Sequence, residues 1–422
     1  MKKFLVVLAV VMLFASMAVA SSTRLEGLGL NSDLLGQDAW MVSDASNVKI
    51  FPATLVKYSN LALIEYNGSD MDSYLNMDAL GGVVGAYTNY TYGNMIAGNN
   101  NSAVLYGCNL SNTMAIAAGV SYQQYLEKQV QNPTEDPVTH NKNISVDYFS
   151  NSIGINLGLS LLGDIPMDFG LAVAIPLSIQ NEDTSFDPDG NKTAFTQDKT
   201  SGIESRLAAK ATMGDLAFGA GVQLIYYNNE SVSQVFNTDG TKSFDGFDKY
   251  SMVWTMAQLG AVKTIKLDKT TIFAGTQLEM VFENHNNPDV VDKIITSTPV
   301  HTSYYEYMSF IVPLIIGAET KINDNWTLRA GAKKAMWNTN TYKSYKKDAD
   351  GKITSAGDTY TKSNTNILNV NFGATLEVAA FSIDFLVNKD LVLNGPEFVS
   401  GEGAADNNTT DWASQIALTF KW

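Results

Sequence analysis

The stretch Ile272-Phe273-Ala274-Gly275-Thr276-Gln277-Leu278-Glu279-Met280-Val281-Phe282-Glu283 decides the fold. Ile272, Ala274, Thr276, Leu278, Met280 and Phe282 fall on one face of an extended chain, and Gln277, Glu279 and Glu283 fall on the other. Successive side chains of a strand point to opposite sides, so this rhythm predicts a strand with one apolar and one mixed face. The rhythm recurs. Leu368, Val370, Phe372, Ala374, Leu376 and Val378 alternate with Asn369, Asn371, Gly373, Thr375 and Glu377. Leu207, Ala209, Ala211 and Met213 alternate with Glu204, Arg206, Ala208, Lys210 and Thr212, and Phe381, Ile383, Phe385 and Val387 alternate with Ser382 and Asp384.

Outward from these segments, the connections alternate between short and long. The short ones lie near 109–112, 163–166, 214–215, 267–270, 323–325 and 379–380. The long ones cover roughly 131–144, 181–200, 229–248, 284–301, 339–364 and 394–411, and are rich in Asn, Asp, Gly, Ser, Thr and Lys. A soluble sandwich has no cause to sort its loops in this way, whereas an outer-membrane barrel has short turns on one side and long loops on the other. The last segment places Ile416, Leu418, Phe420 and Trp422 on one face, and the chain stops on an aromatic residue. Tyr226-Tyr227, Tyr250, Trp254, Tyr304-Tyr305, Trp326, Trp337 and Trp412 stand near strand ends, where interfacial girdles place amphipathic rings. The fold class expected is an all-β transmembrane antiparallel barrel of about 14 strands within a range of about 12–16, the first near Gly81–Asn89. A barrel this wide needs something inside it: water, loops or a plug.

The chain has 422 residues, 17% of them charged, and a net charge of -15. Lys2 and Lys3 followed by apolar Phe4–Phe14 and the small-residue pattern Ala18-Val19-Ala20 read as a cleaved secretory signal over 1–20. That predicts export, and with the barrel it predicts the bacterial outer membrane. No later stretch reaches the roughly 20 apolar residues a spanning helix needs; the most apolar, Phe310–Ala318, is broken by Pro313. The acidity argues against nucleic acid as a partner. A lone Cys108 cannot form an internal disulfide.

Residues 21–60 do not alternate and precede the barrel proper, 61–422. They contain Asp44-Ala45-Ser46, then five residues, then Pro52-Ala53-Thr54-Leu55. This arrangement resembles the N-terminal region of the FadL-like outer-membrane family of long-chain fatty-acid and hydrophobic-compound transporters and their secretion-linked relatives. There an Asp-Ala-Ser-type stretch precedes an Asn-Pro-Ala-x-Leu motif at the same spacing. Gly27-Leu28-Gly29 and Asp38-Ala39 are similar too. Phe51 stands where that motif has Asn, and Thr54 where it has a small residue. The resemblance implies a 14-stranded barrel, an N-terminal hatch inside it whose motif residues here are Asp44, Ala45, Ser46, Pro52, Ala53 and Leu55, and a hydrophobic small-molecule cargo.

No catalytic constellation is visible, so an enzyme is not expected. Gly158-Leu159-Ser160-Leu161-Leu162 lacks the closing Gly of a nucleophile elbow. His140, His285 and His301 fall in or beside loops, and Asp187-x-Asp189-Gly190 and Asp348-x-Asp350-Gly351 are incomplete calcium loops, so neither cofactor nor metal is expected. The face assigned to the lumen carries Glu204, Arg206, Lys210, Glu279, Glu319, Lys321, Arg329, Lys333, Glu377, Asp384 and Lys421. These residues either rigidify the interior or line a polar path. Passive transport of a hydrophobic or amphipathic small molecule is the function expected. A general porin, which the charged lumen favours, and a structural or secretion-linked scaffold binding proteins through its long loops are the alternatives. The partners expected are outer-membrane lipid and, through the strand ending at Trp422, the barrel-assembly machinery.

Overall fold

The computed structural model describes residues 21–28, 30, 39–66, 70–92, 97–130, 142–186, 192–237, 240–287, 291–292, 302–347, 353–356, 360–363, 368–387 and 413–422. The signal segment 1–20, His140, His301, Trp412, both candidate calcium loops and Asp38 lie outside them. A short helix, α1 (Ser22–Gly27), and three 3-10 turns (Ala39–Met41, Ala45–Lys49 and Pro52–Lys57) come first. The strands follow: β1 (Leu61–Tyr66), β2 (Asp70–Ala79), β3 (Gly82–Tyr92), β4 (Ala97–Ser111), β5 (Met114–Val130), β6 (Lys142–Leu161), β7 (Met167–Phe186), β8 (Lys192–Met213), β9 (Leu216–Phe236), β10 (Lys242–Lys266), β11 (Thr270–Asn287), β12 (Val291–Asp292), β13 (Thr302–Lys321), β14 (Trp326–Lys347), β15 (Ile353–Ala356), β16 (Tyr360–Ser363), β17 (Leu368–Val378), β18 (Phe381–Val387) and β19 (Ala413–Lys421).

Among the described residues every strand pairing is antiparallel, and the ring closes because β1 pairs with both β2 and β19. β12, β15 and β16 are short pieces beside longer strands, which leaves 16 strands in the closed barrel. Closure satisfies every sheet edge, which an open sheet in hydrocarbon could not do. No helix among the described residues is long and apolar enough to cross a membrane.

The count corrects the expected 14. The two strands that the sequence count left out are β1 and β2, ahead of the anticipated start near Gly81. A second correction concerns the long connections. Much of 181–200, 229–248 and 339–364 continues as strand: β7 runs to Phe186, β9 to Phe236 and β10 starts at Lys242. Once a strand clears an apolar layer both of its faces meet water, so alternation fades while the backbone ladder continues. The short turns stand where expected, at 112–113, 162–166, 214–215, 267–269, 322–325 and 379–380.

The two faces of the wall differ as the alternation requires. Ile64, Val104, Ile155, Leu207, Leu259, Leu328 and Leu418 are exposed on the outside. Glu65, Leu105, Arg329, Ala417 and Thr419, each next in the chain to one of these, are buried on the inside, as are Gln277 and Asp384 on other strands. The closing register shows it directly, with Ile64 opposite Leu418 facing out and Glu65 opposite Ala417 facing in. The outer face therefore presents a continuous apolar surface that water would not tolerate but lipid would.

Candidate functional site

The described part of residues 21–58 packs on the inward-facing side chains of the wall. Each of its turns has a local cause. Ser21 caps α1, its hydroxyl accepting from the Arg24 N–H at 3.1 Å. Asp44 caps the second 3-10 turn: its Oδ1 accepts from the Ser46 N–H at 2.9 Å and from the Ser46 hydroxyl at 2.7 Å. Pro52 opens the third turn, where its fixed φ suits a first helical position, and the Thr54 hydroxyl donates to the Phe51 carbonyl at 2.7 Å. Ala45, Ala53 and Leu55 are buried. Asp44-Ala45-Ser46 and Pro52–Leu55 are thus two tight turns facing the wall.

The segment has an apolar side and an ionic side. Leu25, Leu28, Trp40, Met41, Ile50 and Phe51 form one cluster with the wall residues Ala208, Ala217, Val262, Phe273 and Ile315. Glycines on the inner wall make room for it. Gly158 receives the backbone of Pro52-Ala53, Gly170 the Ile50 carbonyl, Gly219 and Gly260 the Trp40 ring, and Gly317 the Leu28 carbonyl. A Cβ at any of these would collide with the segment, so the wall is notched along its path. The Trp40 indole N–H donates to Gln277 Oε1 at 3.2 Å, deep in the wall.

On the ionic side, Arg24 donates from Nε and Nη2 to Glu319 Oε2 at 3.1 and 2.8 Å, and its Nη1 lies 3.5 Å from Asp44 Oδ2. Arg329 continues the chain, with Nη1 3.0 Å from Asp384 Oδ1 and Nε 3.7 Å from Glu319. The Ser21 hydroxyl donates to Asp384 Oδ2 at 3.1 Å, and Thr23 donates to Glu65 from both its N–H and its hydroxyl. Asn371 donates to the Glu26 carbonyl and Gln415 to the Glu26 carboxylate. Burial works against the charge on Arg24, but the carboxylates of Glu319 and Asp44 outweigh it and hold its proton more firmly than usual. Burial pushes the Asp44 carboxyl up to about 7, against the pull of Arg24 and the two Ser46 donors.

These contacts locate the segment along the barrel axis. Gly158 and Gly170 flank the turn at 162–166, Gly219 follows the turn at 214–215, Glu319 precedes 322–325, and Asp384 follows 379–380. The segment therefore sits at the short-turn end.

The eleven candidate lumen residues all fall on the inward parity of their strands, and the structure gives them different partners. Glu319, Arg329 and Asp384 meet in the network around Arg24. Arg206 donates to the Lys49 carbonyl of the N-terminal segment. Lys333 pairs with Glu279 at 3.6 Å, and Glu279 accepts from Gln277. Glu204 accepts from Gln223 at 2.6 Å, and Lys210 is buried close to the short turns. Lys321, Glu377 and Lys421 stand at the short-turn rim, away from the network. His285 bonds Glu283, and among the described residues no set of His, Cys, Asp and Glu gathers as metal ligands. Sequence reasoning missed the buried contributions of Arg24, Glu65, Lys49 and Trp40. It also missed the inner glycines, whose signal was available as Gly at inward positions near the short turns of several strands.

Two prolines interrupt the wall itself. The β7–β8 ladder breaks between Ala174 and Ile179, around Pro176, and the β11–β13 ladder skips from Thr276↔Leu314 to Glu279↔Ile311, beside Pro313. Proline has no N–H to give to a neighbouring strand. The Thr276 hydroxyl donates to the Pro313 carbonyl at 2.8 Å and partly covers one break.

The molecule is a closed 16-stranded antiparallel β-barrel with an acid- and arginine-rich network at its short-turn end. No family model matches the chain, and no curated protein does. Solved structures similar to it include the Pseudomonas putida toluene transporter TodX, at 11% identity and a TM-score of 0.38, with 95% of this chain and 96% of that one covered. Another is the ferric yersiniabactin uptake receptor FyuA from Yersinia pestis, at 8% identity and a TM-score of 0.36, with 86% and 79% covered. A third is the siderophore receptor PiuA from Acinetobacter baumannii, at 10% identity and a TM-score of 0.31. At these scores the assignment of the fold rests on the strand ladder itself.

Proposed function

We propose that this chain is a bacterial outer-membrane barrel for passive passage of hydrophobic or amphipathic small molecules, closed at its short-turn, periplasmic end by residues 21–60 acting as a hatch. The observation that carries this reading is the N-terminal segment seated in glycine notches and tied by Arg24 to Glu319 inside a closed ring. A wall of this width without a filling would leave an aqueous channel. The charged inner face favoured an open polar pore on sequence grounds, but Glu319, Arg329, Asp384 and Arg206 are occupied in or beside the contacts that hold the segment. The local resemblance at Asp44–Leu55 supports an apolar cargo. The breaks at Pro176 and Pro313 supply places where such a cargo could leave sideways into lipid without crossing the hatch. The apolar outer face takes lipid as its solvent. The C-terminal strand, in which Trp422 stacks on Phe420 at 5.6 Å, is the element offered to the assembly machinery.

The test compares the full protein with one lacking residues 21–58, each in planar bilayers and in liposomes. The full protein is expected to show low ion conductance and measurable flux of an apolar aromatic or fatty-acid probe; the deletion is expected to open a steady, large ion conductance. Steady porin-like conductance from the intact protein, or no apolar flux from either form, refutes the proposal.

A further inference from the structure

The outward-facing row of β11 measures the height of the apolar layer. Ile272, Ala274, Leu278, Met280 and Phe282 follow one another up from the short-turn end, and Asn284 ends the run. About ten residues of strand, tilted by about 40°, rise about 25 Å, which is the height of the apolar band around such a barrel. Phe282 therefore stands at its upper edge. The ring contacts agree: Phe282 meets Phe310 edge-on at 5.9 Å and Phe310 stacks on Trp337 at 6.3 Å, an aromatic row of the kind found at headgroup depth. A cavity of about 230 Å³ opens on the outer wall at this level. The ladder lays its lining out in two rows. Thr255, Phe282, Met308 and Thr341 stand side by side across four strands, and two residues nearer the long loops stand Val253, Asn284, Glu306 and Lys343. The lower row is a floor, apolar at Phe282 and Met308. The upper row carries a carboxylate and an ammonium. Lys343 Nζ lies 3.9 Å from Glu306 Oε2, beyond hydrogen-bond reach, with 53% and 39% of the two side chains exposed.

We infer that this cavity is a binding site for a membrane lipid whose head group carries a phosphate beside an ammonium. The floor takes the first carbons of an acyl chain, and the chain continues down the wall past Phe310 and Trp337. The two charges of the upper row select the head. The phosphate sits on Lys343, whose ammonium Glu306 does not hydrogen-bond, and the head-group ammonium sits on Glu306. A purely anionic head gains Lys343 but meets Glu306, and a purely cationic one gains Glu306 but meets Lys343. Opposite signs side by side across one strand pair are complementary to a zwitterion and to no single charge. The site faces lipid rather than the lumen, so it is separate from the network around Arg24. The inference rests on the barrel lying in a bilayer and not on any cargo, so a failure of apolar flux leaves it standing.

The full protein in detergent is mixed with phosphatidylethanolamine or with phosphatidylglycerol of the same acyl chains, and retained lipid is counted by native mass spectrometry. The expected preference for phosphatidylethanolamine is about fivefold, the ratio that one exposed charge contact of about 1 kcal/mol supplies. Glu306→Lys makes the upper row doubly positive and should turn the preference toward phosphatidylglycerol. Glu306→Lys combined with Lys343→Glu exchanges the two signs and should restore the original preference. Each variant should keep the heat-modifiable migration of a folded barrel, because both side chains stand at the surface. Equal retention of the two lipids by the unaltered protein, a preference that Glu306→Lys leaves in place, or a double variant that behaves as the single one overturns the inference. So does a spectrum in which the two charges govern a dimer of the chain rather than its lipid.

Discussion

Replacing Arg24 with Met tests the seating of the N-terminal segment without touching the wall. Arg24 spans the boundary: two of its nitrogens hold Glu319 on β13, and a third faces Asp44 within the segment. Removing one member of a buried ion pair costs about 3–5 kcal/mol when the partner is left alone. Here the partners are not left alone. Glu319 keeps Arg329 at 3.7 Å and is itself 19% exposed, and Asp44 keeps both Ser46 donors and holds a proton up to about pH 7. The cost therefore falls to about 2–3 kcal/mol, which by the tenfold-per-1.4 kcal/mol rule is about a 30- to 150-fold rise in the displaced population. A thiol at the buried position 45 reports it: Ala45→Cys, in a Cys108→Ser background, should react with a maleimide faster by that factor, because reaction proceeds through the opened state. Arg24→Lys restores the charge but not the paired donors, and should fall in between. A labelling rate unchanged within about twofold, in a barrel that still shows heat-modifiable migration, would show that the ionic contacts contribute nothing to seating.

The remaining tests bear on neighbouring parts of the site. Burial lifts Asp44 from 3.8 to about 7, so the seated state holds that proton more tightly than a water-exposed one. Its contribution is complete below pH 4 and is lost as pH rises through about 7, so bilayer open time should grow between about pH 5 and 8, and Asp44→Asn should flatten the profile. Gly170→Ala drives a Cβ into the Ile50 carbonyl and should displace the segment and raise position-45 labelling, while Gly163→Ala, with open space around it, should change nothing. Trp40→Ala empties the slot between Gly219 and Gly260 and orphans Gln277 from its indole donor, a loss of about 3–5 kcal/mol read as a lowered unfolding midpoint in detergent. Truncation before Phe420 removes the Phe381–Phe420 and Phe420–Trp422 ring contacts and the Trp422 bond to the Asn60 carbonyl at closure, and should cut the amount of folded barrel recovered from the membrane.

The wall was legible wherever its two faces met different surroundings, and illegible where they did not. β17 has lipid-suited residues outside and polar or small residues inside, and β11 does so over Gly275, Gln277 and Glu279, although its inner Phe273 joins the apolar cluster, so period two stands out in Ile272–Glu283 and Leu368–Val378. In β1 the inner positions Leu61 and Leu63 join Ala45 and Tyr74 in an apolar cluster, so Leu61-Ala62-Leu63-Ile64 is apolar on both faces and carries no alternation. β2 fails for the opposite reason: Asp70, Asp72, Asn76 and Asp78 give it the composition of a loop, although Met71, Leu75 and Met77 keep the outward rhythm. Both missed strands thus lie where the N-terminal segment comes close, with Lys49 reaching Asp72 and Asn76 holding the Tyr58 carbonyl. The same cause hid the site. Charged residues at Glu319, Arg329 and Asp384 look like the lining of a wet pore when only the wall is read, because their partners Arg24 and Ser21 are hundreds of positions away and sit in a segment with no periodicity of its own. What fills the barrel determines what its inner wall must be, so a strand rule that assumes water inside loses strands where the contents are apolar and misassigns charges where the contents are ionic.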